Sequence, residues 1–185
     1  LSFVIDTMLT RNQDAEDVFY NRIDDQRIGA VGHSFGGMTT LGSACGWAEA
    51  PADARVKAIA PMSAVIDGEL QEAERNSPYA GFTTEQLQSV TVPTMLVGGT
   101  ADIAVPIGNN DIAFEHMSQA SVVYKVDITG ANHTHFTNVC DIGDFLIETG
   151  FTQDNWENMG AADLIEPYEA TCSETAFPME EFNRL

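Results

Sequence analysis

Ser34 is the residue of this chain whose type and setting most clearly suggest chemistry. It stands in the segment Gly32-His33-Ser34-Phe35-Gly36, which fits the pattern G-x-S-x-G. In that pattern a serine lies on a tight turn between a strand and a helix, with its hydroxyl raised above the sheet. Because a serine hydroxyl is a weak nucleophile, it needs a base within hydrogen-bond reach, and a carboxylate must orient that base.

The residues on either side of Ser34 suit such a turn. Residues 27–31 form a short apolar stretch, which predicts a strand buried on both faces, and residues 37–48 predict a helix whose N-terminus points at the serine. We expect that a side chain at position 32 or 36 would collide with neighbouring backbone. The rival interpretation is a plain glycine-rich turn in another kind of doubly wound protein.

Candidates for the base and the carboxylate each follow a later predicted strand. Asp102 comes directly after a strand predicted over residues 92–99, and His133 follows one predicted over residues 121–128. The sequence therefore offers three residues of the required types at the carboxyl ends of three strands, in the order serine, aspartate, histidine.

Each of these two candidates has a rival. Asp111 falls in a predicted helix and Asp127 inside a predicted strand, so neither lies at a strand end. His135 is on the same loop as His133 and is expected to line the site. The histidine next to the serine, His33, is expected to have a structural role.

The elements that must position these residues alternate between strand and helix, which predicts an α/β fold with a mostly parallel sheet and flanking helices. We expect residues 1–185 to form a single, partial domain, with residues 150–185 as an irregular acidic segment packed on it and a last helix starting near residue 177. Pro61 is expected to end the second strand. The further predicted elements are a strand at 55–63, helices at 1–10, 107–119 and 139–149, and helical patches at 68–74 and 83–89.

Three segments, GHSFGG at residues 32–37, VPTMLVGGTADIAVP at 92–106 and GANHTHF at 130–136, together resemble the α/β-hydrolase superfamily. Within it the chain is most similar to the dienelactone hydrolase-like carboxylesterases, a group near the platelet-activating-factor acetylhydrolases and the cutinase-type polyester hydrolases. The resemblance implies Ser34 as nucleophile, Asp102 as the acid of the triad and His133 as general base. It also implies that the backbone N–H of Phe35 donates to the oxyanion.

The same resemblance implies that a second oxyanion donor comes from a loop well upstream of the serine. We find no such segment before the predicted strand at residues 27–31. We therefore expect an internal fragment of a longer enzyme, lacking the N-terminal part of the sheet, and expect it to be weakly active and prone to associate when alone.

Composition restricts the partners. With 28 acidic and 8 basic residues the formal net charge is −20, which argues against nucleic acid as a partner. No apolar run approaches 18 residues, so we expect no membrane span. The oligomeric state is left open.

The three cysteines lack the spacing of a zinc site, so we expect no metal and, for the chemistry implied above, no organic cofactor. Cys140 and Cys172 are candidates for a disulfide, which would imply an oxidising compartment and a secreted or periplasmic protein. Cys45 is expected to be a small buried residue. The sequence Asn132-His133-Thr134 fits the N-glycosylation pattern, a match that we interpret as chance because a glycan there would obstruct the base.

These observations together favour a serine carboxylic ester hydrolase that works through an acyl-enzyme, on a small or a polymeric ester. The alternatives are a lipase or phospholipid acetylhydrolase of the same fold, which would need a hydrophobic lid that the polar residues 64–90 do not suggest, and a non-catalytic binding protein of the same fold.

Overall fold

The computed structural model describes residues 1–67, 81–173 and 178. The strands are β1 (Ile28–His33), β2 (Val56–Met62), β3 (Thr94–Gly99) and β4 (Val123–Ile128). The helices are α1 (Ser2–Gln13), α2 (Phe35–Cys45), α3 (Thr84–Gln88), α4 (Gly108–His116), α5 (Val139–Glu148), α6 (Gln153–Trp156) and α7 (Ile165–Cys172). Short 3₁₀ turns cover His133–Phe136, Glu157–Met159 and Ala162–Leu164.

The four strands form one parallel sheet in the order β1-β2-β3-β4, so neighbours in space are also neighbours along the chain. This confirms the predicted parallel sheet with helices between the strands. All four strands end at the same edge of the sheet, which brings the residues that follow them close together.

Pro61 does not end β2, as the sequence suggested. It lies within the strand, opposite Gly32 of β1. The N–H groups of Ile59 and Ser63 donate to Pro93 and Val97 on the β3 side. Pro61, midway between these donors, has no N–H to offer. The proline therefore interrupts the bonding between β2 and β3, while the pairing of β2 with β1 continues.

The main core joins one face of the sheet to the first four helices. Its buried members include Ile5 of α1, Leu41 of α2, Leu87 of α3 and Ala113 of α4, packed with Ile59 of the sheet. A second, smaller cluster of Val97, Ile128 and Ala131 lies at the carboxyl ends of β3 and β4, with Met62 and Phe136 packed against it. This smaller cluster supports the loops that follow those strands.

Within the described ranges, no helix covers the other face of the sheet, which we call the open face. Its outward-pointing side chains line an apolar groove, and Val31 and Tyr124 are 68% and 62% exposed. The further exposed residues of this face are Gly29, Ala58, Met95 and Val126.

The segment from residue 150 is more regular than expected. It contains α6 and α7, and the indole of Trp156, the last residue of α6, is fully buried. A disulfide joins Cys140 of α5 to Cys172 of α7, with 5.6 Å between their Cα atoms, as the sequence suggested. Cys45 is half-buried, and burial raises the pKa of its thiol to about 12.

Two predicted helical segments, 68–74 and the helix from residue 177, lie outside the described residues apart from Pro178. That residues 1–185 form one partial domain stays a prediction. Among the helices of the described ranges, none has the length and apolar character needed to cross a membrane.

Candidate active site

Ser34 occupies a strained turn between β1 and α2. Its φ of 58° and ψ of −119° lie where residues with side chains are uncommon, and such a conformation costs on the order of 1–3 kcal/mol. Two backbone hydrogen bonds hold it: the Ser34 N–H donates to the carbonyl of Met62 at 2.9 Å, and its own carbonyl accepts from Met38 at 3.1 Å. The turn thereby fixes the hydroxyl above the end of the sheet.

The glycines that this turn requires are Gly32 and Gly37. A Cβ on Gly32 would lie 2.3 Å from the carbonyl oxygen of Gly36, and one on Gly37 would lie 2.7 Å from that of Met62. The expectation for Gly36 was wrong, because a Cβ there would meet nothing within 4 Å. Gly36 matters for its backbone, which occupies the space next to Gly32.

His133 lies between Ser34 and Asp102 in a single line of hydrogen bonds. His133 Nε2 is 3.0 Å from Ser34 Oγ, and its Nδ1 is 2.8 Å from Asp102 Oδ2. His133 begins the 3₁₀ turn after β4, and Asp102 is in the turn after β3. The structure thus brings together the three residues that the sequence singled out.

Asp102 is held as a buried carboxylate. Its side chain is inaccessible to solvent, and the N–H of Val105 donates to Oδ1 at 2.7 Å. Burial alone would raise the pKa of Asp102, but the hydrogen bonds from His133 and Val105 outweigh it and hold the pKa below its usual value. This carboxylate is therefore ionised near neutral pH, as an acceptor for the His133 ring must be.

The rival residues have other partners. Asp111 and Asp127 both pair with Lys125, the latter at 2.8 Å. His135 is buried within the loop, where its Nδ1 lies 2.6 Å from Asn132 Oδ1, so it does not line the site as expected.

The loops that carry Asp102 and His133 are bonded to each other. Thr100 N–H donates to the carbonyl of Ile128, and Ala101 N–H donates to that of Ala131. The buried Ala131 side chain packs in the small cluster beneath the site. These backbone hydrogen bonds therefore help to fix the distance between the Asp102 carboxylate and the His133 imidazole.

His33 is a member of the site whose position sequence reasoning did not foresee. Its ring centroid is 4.5 Å from that of His133 and 5.6 Å from that of Phe136. Burial lowers the pKa of His33, and the charge that His133 can carry lowers it further, against an opposing effect of Asp102. The sequence signal that could have indicated this position is that His33 comes directly before Ser34.

Phe35 is the first residue of α2, so its N–H lies at the positive end of that helix, next to the serine. The Phe35 side chain is about half exposed and meets the Trp47 ring edge-on, with the ring centroids 5.3 Å apart. Within residues 1–67, 81–173 and 178, no group of three or more His, Cys, Asp or Glu side chains is arranged to hold a metal ion. Of the region in which a lid was considered, residues 64–90, the part from 68 to 80 lies outside the described residues.

The chain that carries this arrangement matches a known protein family. The family model described as PET hydrolase-like (PETase) matches residues 2–148, well over half of the chain. The chain belongs to the PET hydrolase-like family. The match extends from α1 to the end of α5 and includes Ser34, Asp102 and His133.

A relative of this PET hydrolase-like chain is Cutinase est1 from Thermobifida alba. The two are 29% identical over 136 residues, which are 74% of this chain and 37% of the cutinase. The chain thus spans little more than a third of the length of that relative.

Solved structures share the fold. The acylaminoacyl peptidase of Pyrococcus horikoshii matches with a TM-score of 0.56 at 14% identity, over 96% of this chain and 28% of its own. The dipeptidyl peptidase 4 of Porphyromonas gingivalis matches with a TM-score of 0.50 at 21% identity, over 88% of this chain and 22% of its own. Together with the parallel sheet, these likenesses confirm the α/β-hydrolase fold.

Proposed function

We propose that this chain carries the catalytic triad of a serine carboxylic ester hydrolase. The observation that carries the proposal is the unbroken line of hydrogen bonds from Asp102 through His133 to Ser34, with distances of 2.8 and 3.0 Å. Membership in the PET hydrolase-like family and the similarity to a cutinase support an ester as the substrate.

In the first half of the reaction Ser34 Oγ attacks the ester carbonyl while His133 Nε2 takes the hydroxyl proton. Asp102 accepts a hydrogen bond from His133 Nδ1, which keeps the other ring nitrogen free to act as the base. The tetrahedral intermediate then breaks its C–O bond to the leaving alcohol, which receives the proton from His133. Ser34 is left as an acyl ester.

In the second half a water molecule takes the place of the alcohol. His133 removes its proton, the hydroxide adds to the acyl carbon, and the bond to Ser34 Oγ breaks as the serine regains a proton. The products are the carboxylic acid and the free enzyme, so that no metal or organic cofactor enters the balance.

The negative charge of each tetrahedral intermediate needs a donor, and the Phe35 N–H is our candidate. Its support is its position as the first N–H of α2, where the helix contributes partial positive charge next to Ser34. We propose short acyl esters and polyester chains as substrates, on the strength of the family alone.

Covalent labelling with a fluorophosphonate, located by mass spectrometry, tests the proposal on the full-length protein. Such probes react with a serine whose hydroxyl is activated by a base. We expect stoichiometric labelling at Ser34, and loss of both label and ester hydrolysis in Ser34→Ala.

The matched control is Ser43→Ala. Ser43 is a buried serine on the same helix, α2, and its hydroxyl donates to the carbonyl of Thr40 at 2.6 Å. This variant should label as the wild type does. A full-length protein that is folded but unlabelled at Ser34 would refute the triad assignment and favour a binding protein of the same fold.

A further inference from the structure

The residues on either side of His133 belong to the motif Asn132-His133-Thr134, which the catalytic steps leave unexplained. The Asn132 side-chain oxygen accepts from the Thr134 N–H at 3.1 Å and from the His135 N–H at 3.3 Å. It therefore caps the 3₁₀ turn that begins at His133, and its role in the fold is to fix the start of that turn.

Both neighbours of His133 are also bonded to one turn of α7. The Asn132 side-chain N–H group donates to the carbonyl of Ala170 at 3.0 Å, and the Thr171 hydroxyl donates to Asn132 Oδ1 at 3.3 Å. The hydroxyls of Thr134 and Thr171 are in direct contact. The Thr171 side chain is almost completely buried, so these contacts are shielded from water.

The helix that receives these contacts is itself anchored to α5. Cys172, the residue after Thr171, forms the disulfide with Cys140. One turn earlier, the Tyr168 ring occupies the space beside Gly143, where a Cβ would lie 2.2 Å from the ring. The Tyr168 hydroxyl donates to Asp144 at 2.6 Å. The end of α7 is therefore held at a defined distance from the loop of His133.

We propose that Asn132 and Thr171 are positioning residues for His133, and that α7 sets the place of the general base through them. This inference rests on the function proposed above. The side chains on which a base depends must be held to within about 0.5 Å of the productive geometry, and a displacement of about 1 Å can reduce the rate by about 10²-fold. His133 has tethers on both sides, and each runs to α7.

Thr171→Val is the decisive variant, measured in the full-length protein. It removes the hydroxyl but keeps the shape of the side chain. The partners that remain are not left unsatisfied, because the Thr134 hydroxyl still donates to Asn132 Oδ1 at 3.1 Å. We expect kcat on a p-nitrophenyl ester to fall by about 10-fold with little change in KM, and the rate of fluorophosphonate labelling to fall in proportion. Thr171→Ser should restore both rates to within about twofold of the wild type.

Thr94→Val is the matched control. It makes the same substitution at another buried threonine, the first residue of β3, whose hydroxyl donates to the carbonyl of Val92 at 3.1 Å, at the end of the strand away from the site. We expect it to keep its kcat, whatever change it causes in the thermal unfolding temperature. The proposal is overturned if Thr171→Val retains wild-type kcat, or if the losses in both variants simply follow their unfolding temperatures.

The double variant Cys140→Ser/Cys172→Ser provides a second test of the same proposal. If α7 acts through its attachment to α5, the loss should again appear in kcat and in labelling rate at temperatures where the protein is folded. An unlabelled wild type would count against the proposed function, whereas a labelled wild type with unaffected Thr171→Val and double variants would count against this inference alone.

Discussion

Three residues of the candidate active site are held in states that cost free energy. Ser34 has a backbone conformation that side chains disfavour, Asp102 is a carboxylate without access to solvent, and His33 Nε2 is buried without a hydrogen-bond partner among the described residues. Strain and buried polar groups concentrate at functional sites, where the surrounding structure stabilises them. Here the surrounding structure is formed by the carboxyl ends of β1, β2 and β3.

The first prediction concerns His33 and pH. In the unfolded chain its pKa is about 6.5, and in the folded protein burial and the neighbouring His133 lower that pKa, while Asp102 opposes them. Below about pH 6.5 the unfolded chain therefore binds a proton that the folded protein does not, so stability falls as the pH falls. We expect the free energy of unfolding in urea to decrease less from pH 8 to pH 5 in His33→Phe than in the wild type.

The control for the loss of a histidine is His116→Phe, on α4. Equal slopes of the free energy of unfolding against pH in the wild type and in His33→Phe would show that His33 does not contribute to the pH dependence of stability. The comparison isolates one residue, because the carboxylates that dominate acid unfolding are the same in each protein.

At this scale much of the site could be predicted from the sequence. Ser34, Asp102 and His133 follow from residue type and from position after a strand, because parallel strands place such positions at one edge of the sheet. The burial of His135 and the contact of His33 with His133 depend on the path of the loop from residue 129 to 136. Side-chain packing there is fixed by tertiary contacts that no local pattern reveals.

At the scale of elements, the distance between α2 and β2 determines whether the turn at Ser34 can form. The carbonyl of Met62 in β2 accepts from the Ser34 N–H, and the same oxygen lies against Gly37 of α2. Helix, strand and turn thus meet at one atom.

The second prediction follows from that contact. In Gly37→Ala the new Cβ would lie 2.7 Å from the Met62 oxygen and 3.0 Å from the Ala64 Cβ, so α2 must move away from the sheet. We expect a destabilisation of about 1–3 kcal/mol, measured as the free energy of unfolding in urea.

Gly36→Ala tests whether the effect comes from the collision. It lies on the same turn of α2 and its Cβ would meet nothing within 4 Å, so alanine should be neutral or stabilising by up to about 1 kcal/mol. Similar losses of stability in both variants would contradict the explanation.

The sequence predicted the elements of the sheet better than those of the C-terminal region. Hydrophobic runs mark the strands, whereas α7 has a weak pattern and depends on the disulfide and on the Tyr168 ring beside Gly143. Pro61 was mistaken for the end of a strand because the sequence does not show on which side its missing N–H falls.

At the scale of the whole molecule two features oppose each other. The open face of the sheet exposes apolar side chains to water, which favours association, while the net charge of −20 makes copies of the chain repel one another. Salt shifts the balance, because the screening length falls from about 10 Å at 0.1 M to about 3 Å at 1 M ionic strength.

The third prediction is that the chain of residues 1–185 associates through this face, and more strongly at 1 M than at 0.1 M salt. Val31→Lys should reduce the association, because it places a charge on the apolar face. Sedimentation velocity at both salt concentrations measures the outcome.

Val18→Lys provides the comparison. Val18 is 70% exposed against 68% for Val31, but it lies in the loop between α1 and β1 and not on the sheet. If the unaltered chain sediments as a monomer of 20.0 kDa at both salt concentrations, or if the two lysine variants behave alike, the open face is not the cause.

The order of the strands has a consequence for how the protein comes into being. Because β1 to β4 are added side by side in chain order, the sheet can grow as the polypeptide is synthesised, one strand against the last. In the roles proposed above, the nucleophile is synthesised early, its base 99 residues later, and the α7 partners of the residues beside that base later still. With these roles, the serine of a nascent chain has no base within reach until residue 133 has been synthesised, and a chain that stalls before that point carries a serine that is not activated.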